Sequence, residues 1–354
     1  MSGYIPDDDE ATLDCVNITR DNSFKLILAC EMVIKEPEYL IDDILETDSL
    51  GSLFGEPSAG KSFVALSMAC SVATGAAWFG HSVKKMPVIY IAGEGHNGLA
   101  RRRAAWQKGN DCNIDADCPL YFSTVPARMT DEEHVKSVID SVNGIAENHG
   151  PPGLIVIDTL ARNFGGEDEN STQAMNEFVT GCDSLRSTYN ATVLVVHHSG
   201  HADKGRGRGS SVFRGALDIE YAIVQEMNVI RQSNTKLKDG AKPDDLFFRL
   251  NDCFVGCGES GRPITSAYLV KTDEPAHAMP LGENQKTAVT LLASMYKERE
   301  ENLVAREMSP SLATVKVEEF KNELKAVDIA RQRISELIRN DKLFQIVNGT
   351  IKCV

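Results

Sequence analysis

The chain has 354 residues, enough for two or three domains with a sizeable core. Its 42% hydrophobic and 25% charged content is that of an ordinary globular protein, and no apolar run approaches the ~20 residues of a membrane helix. The net charge of −14 argues at first against a nucleic-acid partner, but residues 1–50 hold thirteen Asp and Glu against three Lys and Arg and carry −10 of it. The rest of the chain is therefore free to present local basic surfaces, which decide phosphate contacts.

The first residues, MSGYIPDDDE, carry no basic segment followed by an apolar one, so the expected compartment is the cytoplasm. Nine cysteines without zinc-ligand spacing predict reduced, mostly buried thiols. Within an acidic segment over residues 1–35, Phe24–Ile34 is apolar enough to pair with or cap the domain that follows.

From 36 to 272 the pattern alternates strand and helix, which predicts an α/β domain with a mostly parallel sheet covered by helices. A strand over Asp48–Phe54 runs into an apolar helix over Phe63–Gly75. Further strands are expected at Val88–Ala92, Leu120–Phe122, Leu154–Ile157, Thr192–Val196, Ala222–Val224, Leu246–Leu250 and Ser266–Val270, with near-continuous β-branched runs that suit burial on both faces. Helices are expected over 131–147, opened by Asp131, and over 171–189, opened by Ser171 or Thr172.

Residues 273–282 read as a linker rich in Pro and Gly. Beyond it, helices at Asn284–Tyr296 and Val317–Lys325, a third from Asp328 to Asn340, and strands flanking Asn348-Gly349 give the layout of a winged-helix domain over 283–354. Arg331, Arg333 and Arg339 sit on the third helix, where such a domain presents groove-reading side chains. The tail's eleven acidic and twelve basic residues leave DNA contact and protein contact equally open.

Chemistry enters at Gly55-Glu56-Pro57-Ser58-Ala59-Gly60-Lys61-Ser62, which fits the phosphate-loop pattern G-x-x-x-x-G-K-[ST] without mismatch and is followed by Phe63. Small residues let backbone N–H groups converge on phosphates, and the helix N-terminus adds partial positive charge. Lys61 can reach the β- and γ-phosphates of ATP, and the Ser62 hydroxyl can ligate Mg²⁺. The strand ending in Asp158 has the form of a Walker B strand, whose carboxylate holds the Mg²⁺ shell beside Ser62.

Glu94, in Gly93-Glu94-Gly95 just past a strand, is placed to orient or deprotonate the attacking water. His197 and His198 end another strand. Adjacent strand residues face opposite ways, so one of the pair, with His197 slightly preferred, can contact the γ-phosphate while the other packs. Gly200–Arg214 is glycine-rich and carries Lys204, Arg206, Arg208 and Arg214, suited to a DNA phosphate or to an arginine finger. Asn234–Gly240 reads as a second basic loop or a charged hairpin. Arg101-Arg102-Arg103 reads as a solvated helix face rather than a ligand contact.

In order, GEPSAGKS, VIYIAGEGHNGLARR, LIVIDTLARNFGGEDENS, VLVVHHSGHADKGRGRGSSVFRGALD and NTKLKDG resemble the RepA-like hexameric helicase ATPases of the RecA/DnaB-type P-loop superfamily, found in plasmids and phages, over residues 40–272. The resemblance implies a RecA-like core, Lys61 and Ser62 on nucleotide phosphate and Mg²⁺, Glu94 as base, Asp158 as Walker B carboxylate and His198 or His197 as sensor. It implies Arg208 as the finger, with Arg214 in reserve, supplied across a hexameric ring. The expected function is Mg²⁺-dependent ATP hydrolysis coupled to movement on single-stranded DNA, with replication or recombination proteins as possible partners and no membrane. A non-unwinding loader or mediator ATPase, or an ATP-switched winged-helix regulator, are the alternatives. The acidic first 50 residues and the tail extend beyond the core pattern.

Overall fold

The computed structural model describes residues 26–32, 36–93, 95–200, 207–226, 228–273, 283–306, 308–309, 312–327, 334, 337–339, 344–347 and 349–353. The chain divides into two compact units, Met1–Asp273 and Glu274–Val354.

The first unit opens with a small hairpin, β1 (Tyr39–Ile41) and β2 (Leu45–Glu46). Its centre is a nine-stranded sheet made of β3 (Leu50–Gly55), β4 (Val88–Ala92), β5 (Leu120–Phe122), β6 (Leu154–Asp158), β7 (Thr192–His198), β8 (Ile219–Glu226), β9 (Val229–Leu237), β10 (Leu246–Cys257) and β11 (Pro263–Thr272). The spatial order is β11-β10-β9-β8-β3-β7-β6-β4-β5. Pairings from β8 through to β5 are parallel, and those among β8, β9, β10 and β11 are antiparallel. Strands β3, β4 and β6 are buried at every residue, as continuous apolar runs covered on both faces must be.

Side-chain alternation sorts the sheet into two cores. Leu53, Tyr90, Val156, Val196 and Tyr221 face α1 (Lys61–Thr74) and α2 (His96–Gly109). Leu50, Ile91, Ile157 and Val195 face the other way, onto α3 (Glu132–His149), the short α4 (Leu160–Asn163), α5 (Thr172–Tyr189) and α6 (Ser211–Ala216). Helix α1 is apolar nearly all round because it is buried from Val64 to Ala73, and Gly75 closes it at φ 79°. Asp131 caps α3 through Glu133 N and His134 N, and Ser171, rather than Thr172, caps α5 through Ala174 N.

The predicted mostly parallel α/β sheet is present, and several expectations need correcting. Strands β6 and β7 end at Asp158 and His198, as the reading of Asp158 and of the histidine pair requires. Strand β9 is not among the strands expected from the sequence. Its Arg231-Gln232-Ser233-Asn234 stretch is too polar to read as one, yet both of its neighbours pair with it. The described part of the apolar N-terminal stretch, Leu26–Met32, neither pairs nor caps. It holds a single 3₁₀ turn at Ala29–Glu31, with Leu26, Ile27, Leu28 and Met32 exposed. The seven thiols described as free are unpaired, but only Cys70 and Cys182 are buried.

In the second unit, α7 (Glu283–Val304) runs eight residues past its predicted end, α8 spans Val317–Ala326, and β12 (Phe344–Val347) pairs antiparallel with β13 (Thr350–Cys353). Its core joins Ala288, Leu292, Phe320, Leu324, Phe344 and Ile351. Ile334, Leu337 and Ile338 also belong to it, whereas Asp328, Arg331, Arg333 and Asn348 lie outside the described residues.

Candidate nucleotide site

The loop between β3 and α1 is shaped by backbone conformations that small residues tolerate. Ser58 and Gly60 lie in the left-handed region at φ 65° and 93°. A Cβ on Gly60 would also stand 2.5 Å from Ile230 Cδ1, so glycine is required there on two counts. Helix α1 starts at Lys61 with no side chain capping it, which leaves its N-terminal N–H dipoles for the loop's concavity.

Lys61 is 5% exposed, and its Nζ donates to the loop's own Gly55 O at 3.0 Å and Glu56 O at 2.7 Å. Burial pushes the ammonium down to about 8, partly offset by the carboxylate of Asp158. Ser62, one residue on, donates from Oγ to Asp158 Oδ1 at 3.2 Å. This contact joins the ends of β3 and β6, which are not neighbours, because β7 lies between them. The space beyond the carboxyl ends of β3, β7 and β6 is where a ligand of an open parallel sheet gathers.

Asp158 is buried, and desolvation raises its pKa against the pull of hydrogen bonds from Tyr90 and Ser62. Its second oxygen, Oδ2, accepts the Tyr90 phenol O–H at 2.6 Å. Sequence reasoning missed Tyr90. Strand alternation places Tyr90 and Asp158 on one face once β4 and β6 are known to pair in the register Ala92↔Asp158, but that adjacency is not written in either strand. The expectation of a solvated face fails at Arg102. Instead it is half-buried on α2, with its guanidinium 4.7 Å from the centre of the Phe63 ring and its charge acting on Asp158.

The histidines separate as strand alternation demands. His198 faces Lys61, with Nδ1 3.4 Å from Nζ. His197, the residue slightly preferred from sequence, points through the sheet to the α5–α6 side, where it is 1% exposed. Its Nε2–H donates to Arg208 O at 2.5 Å, its ring meets Phe213 edge-on, and burial lowers its pKa to about 4. Its Nδ1 has no hydrogen-bond partner.

The segment after β7 is tied back to the end of that strand, because Arg208 N–H donates to His198 O at 2.8 Å. The Arg208 side chain is half-exposed, 3.5 Å from Glu169 Oε2. Arg214 is committed differently. It donates to Glu220 Oε2 at 3.0 Å, and that buried carboxylate also accepts from Thr235 Oγ1 at 2.7 Å. Lys236 donates to Arg214 O and Gly215 O, so Asn234–Leu237 belongs to β9 and holds α6 rather than forming a free basic loop.

Glu94, Lys204 and Arg206 lie outside the described residues. The turn that carries Glu94 is anchored at Gly93, whose N–H donates to Asp158 O at 2.7 Å. A Cβ on Gly93 would come within 2.2 Å of Arg162 Cβ.

The donor set at Ser62 and Asp158, one hydroxyl and one carboxylate, is hard oxygen and suits Mg²⁺. Among the described residues there is no cluster of three or more His, Cys, Asp or Glu able to hold a metal unaided. No helix among the described residues is long and apolar enough to cross a membrane. A family model described as an AAA domain matches residues 27–204, half of the chain. None of the curated proteins compared with the chain matches it.

Proposed function

The chain belongs to the AAA-domain family of P-loop NTPases, and from that premise we propose that it is a Mg²⁺-dependent ATPase of the RepA-like helicase type, working on single-stranded DNA as a ring of subunits. The observation that carries the reading is the convergence of Lys61, Ser62, Asp158 and His198 at the ends of three parallel strands, with Arg208 bonded through its backbone to His198.

In this reading the loop N–H groups and Lys61 bind the phosphates, Lys61 exchanging its two loop carbonyls for phosphate oxygens. Ser62 and Asp158 hold Mg²⁺, which when bound neutralises charge on the phosphates. Glu94, two residues past the end of β4, orients the attacking water. His198 senses the γ-phosphate from the neighbouring strand end. The pair of bonds around Arg208, its N–H to His198 and its carbonyl from His197, gives nucleotide state a short route to the basic segment after β7. Both side chains are about half-exposed, and Arg208 favours the finger role over Arg214 because its 3.5 Å ion pair to Glu169 is looser than the 3.0 Å pair that ties Arg214 to Glu220. The second unit, with its helices and closing hairpin, is read as a winged helix that contacts DNA or a partner protein.

Three measurements test this. ATP turnover should require Mg²⁺ and rise with single-stranded DNA, and a forked duplex should be unwound. Mass in solution should reach a hexamer with a non-hydrolysable ATP analogue. A strict monomer in every nucleotide state would remove the trans finger and the helicase reading with it.

A further inference from the structure

We infer that Tyr90 is a positioning residue for the metal carboxylate, fixing which oxygen of Asp158 is presented to Ser62 and the cation. The inference rests on the nucleotide-site reading above.

The two oxygens of Asp158 are divided between two hydroxyls. Oδ1 accepts from Ser62 Oγ at 3.2 Å, on the side of the phosphate loop, and Oδ2 accepts from Tyr90 at 2.6 Å. The second bond is short, as hydrogen bonds to ionised acceptors are. Tyr90 cannot follow a carboxylate that swings. It is fully buried on β4, its ring packs against Phe122 at 5.4 Å, and it lies on the same face as Asp158, two positions back along the paired strand. Rotation of the carboxylate about its own side-chain bonds would therefore break the Tyr90 bond inside the core, where an unpaired hydroxyl costs on the order of 1–3 kcal/mol.

A single carboxylate serving Mg²⁺ has little other protein help, so its aim matters. Partners that orient a metal ligand typically change metal affinity by about 10–100-fold when removed. A buried tyrosine could have bonded a backbone carbonyl instead. In this chain it reaches the carboxylate to which the proposed chemistry gives the cation.

The test compares the full chain with Tyr90→Phe, which removes the hydroxyl and keeps the ring. A fluorescent ADP analogue is titrated with Mg²⁺ absent under chelation and then at increasing Mg²⁺. Wild type should bind more tightly as Mg²⁺ is added. Tyr90→Phe should need about tenfold more Mg²⁺ or beyond for half of that gain, with its metal-free affinity unchanged. Asp158→Asn should lose the gain, and adding Tyr90→Phe to it should change nothing further. A Tyr90→Phe titration that superimposes on wild type would overturn the inference. So would an equal further loss in the Asp158→Asn background or in metal-free affinity, since Tyr90 would then act on the fold alone. A wild type indifferent to Mg²⁺ would instead remove the nucleotide-site reading on which the inference stands.

Discussion

Lowering the pH should unlock the back of the sheet through one ring, His197. An unfolded histidine titrates near pH 6.5, whereas burial holds His197 down to about 4 in the folded chain. Between those values the unfolded state takes up a proton that the native state refuses, so stability falls as pH falls. With these two pKa values the loss from this residue is about 0.2 kcal/mol at pH 7 and about 2 kcal/mol at pH 5. Other groups titrate in the same range. Burial raises the carboxyls of Glu169 and Asp158, which act in the opposite direction. The assay must therefore subtract them. Trp78 and Trp106 are the chain's two tryptophans and both are buried in the first unit, so urea unfolding followed by tryptophan fluorescence reports that unit. Between pH 7 and 5, wild type should lose about 2 kcal/mol more than His197→Gln, which keeps a donor toward Arg208 O but does not titrate. Equal losses in the two proteins would refute the reasoning, whatever the variant's stability at pH 7.

Lys61→Ala should abolish ATP hydrolysis and weaken nucleotide binding, and Glu94→Gln should abolish hydrolysis while leaving binding intact; a Glu94→Gln protein with normal turnover would dismiss it as the base. Arg214→Ala should lower the thermal midpoint, because it leaves the buried Glu220 carboxylate short of its cation. Arg208→Ala should lower the midpoint less than Arg214→Ala, because its ion pair to Glu169 is longer, at 3.5 Å against 3.0 Å, while reducing turnover of the assembled protein. The opposite assignment of the two phenotypes would exchange their roles. Gly93→Ala forces its new methyl against Arg162 and should cost on the order of 1–3 kcal/mol, measurable by urea unfolding, with a loss of turnover as the Glu94 turn shifts.

What could be read in the sequence was local. GEPSAGKS carries its own loop conformation, Asp158 ends a run of four apolar residues, and Asp131 and Ser171 announce helices by capping chemistry. Alternation alone also dictated that His197 and His198 diverge. Which of them faces Lys61 depends on which side of the sheet holds α1, and two adjacent letters do not encode that. The same holds for Tyr90, whose partner lies 68 residues away. Arg214 looked like a mobile cation because its acidic partner, Glu220, is hidden inside a strand otherwise read only at Ala222–Val224. Strand β9 escaped because pairing on both sides overrides the polar character of Gln232 and Asn234.

The position of β7 between β3 and β6 also bears on how the molecule comes into being. The phosphate loop is complete by residue 62 and the aspartate that Ser62 reaches by residue 158, yet the strand that bridges them spans residues 192–198. A ribosome-bound chain ending before β7 would hold the two halves of its nucleotide site on separate pieces of sheet. Ser62 and Asp158 would have no shared strand to set their spacing. Contacts of such long sequence separation are slow to close. Nucleotide can therefore reward folding only after more than half of the protein has been synthesised.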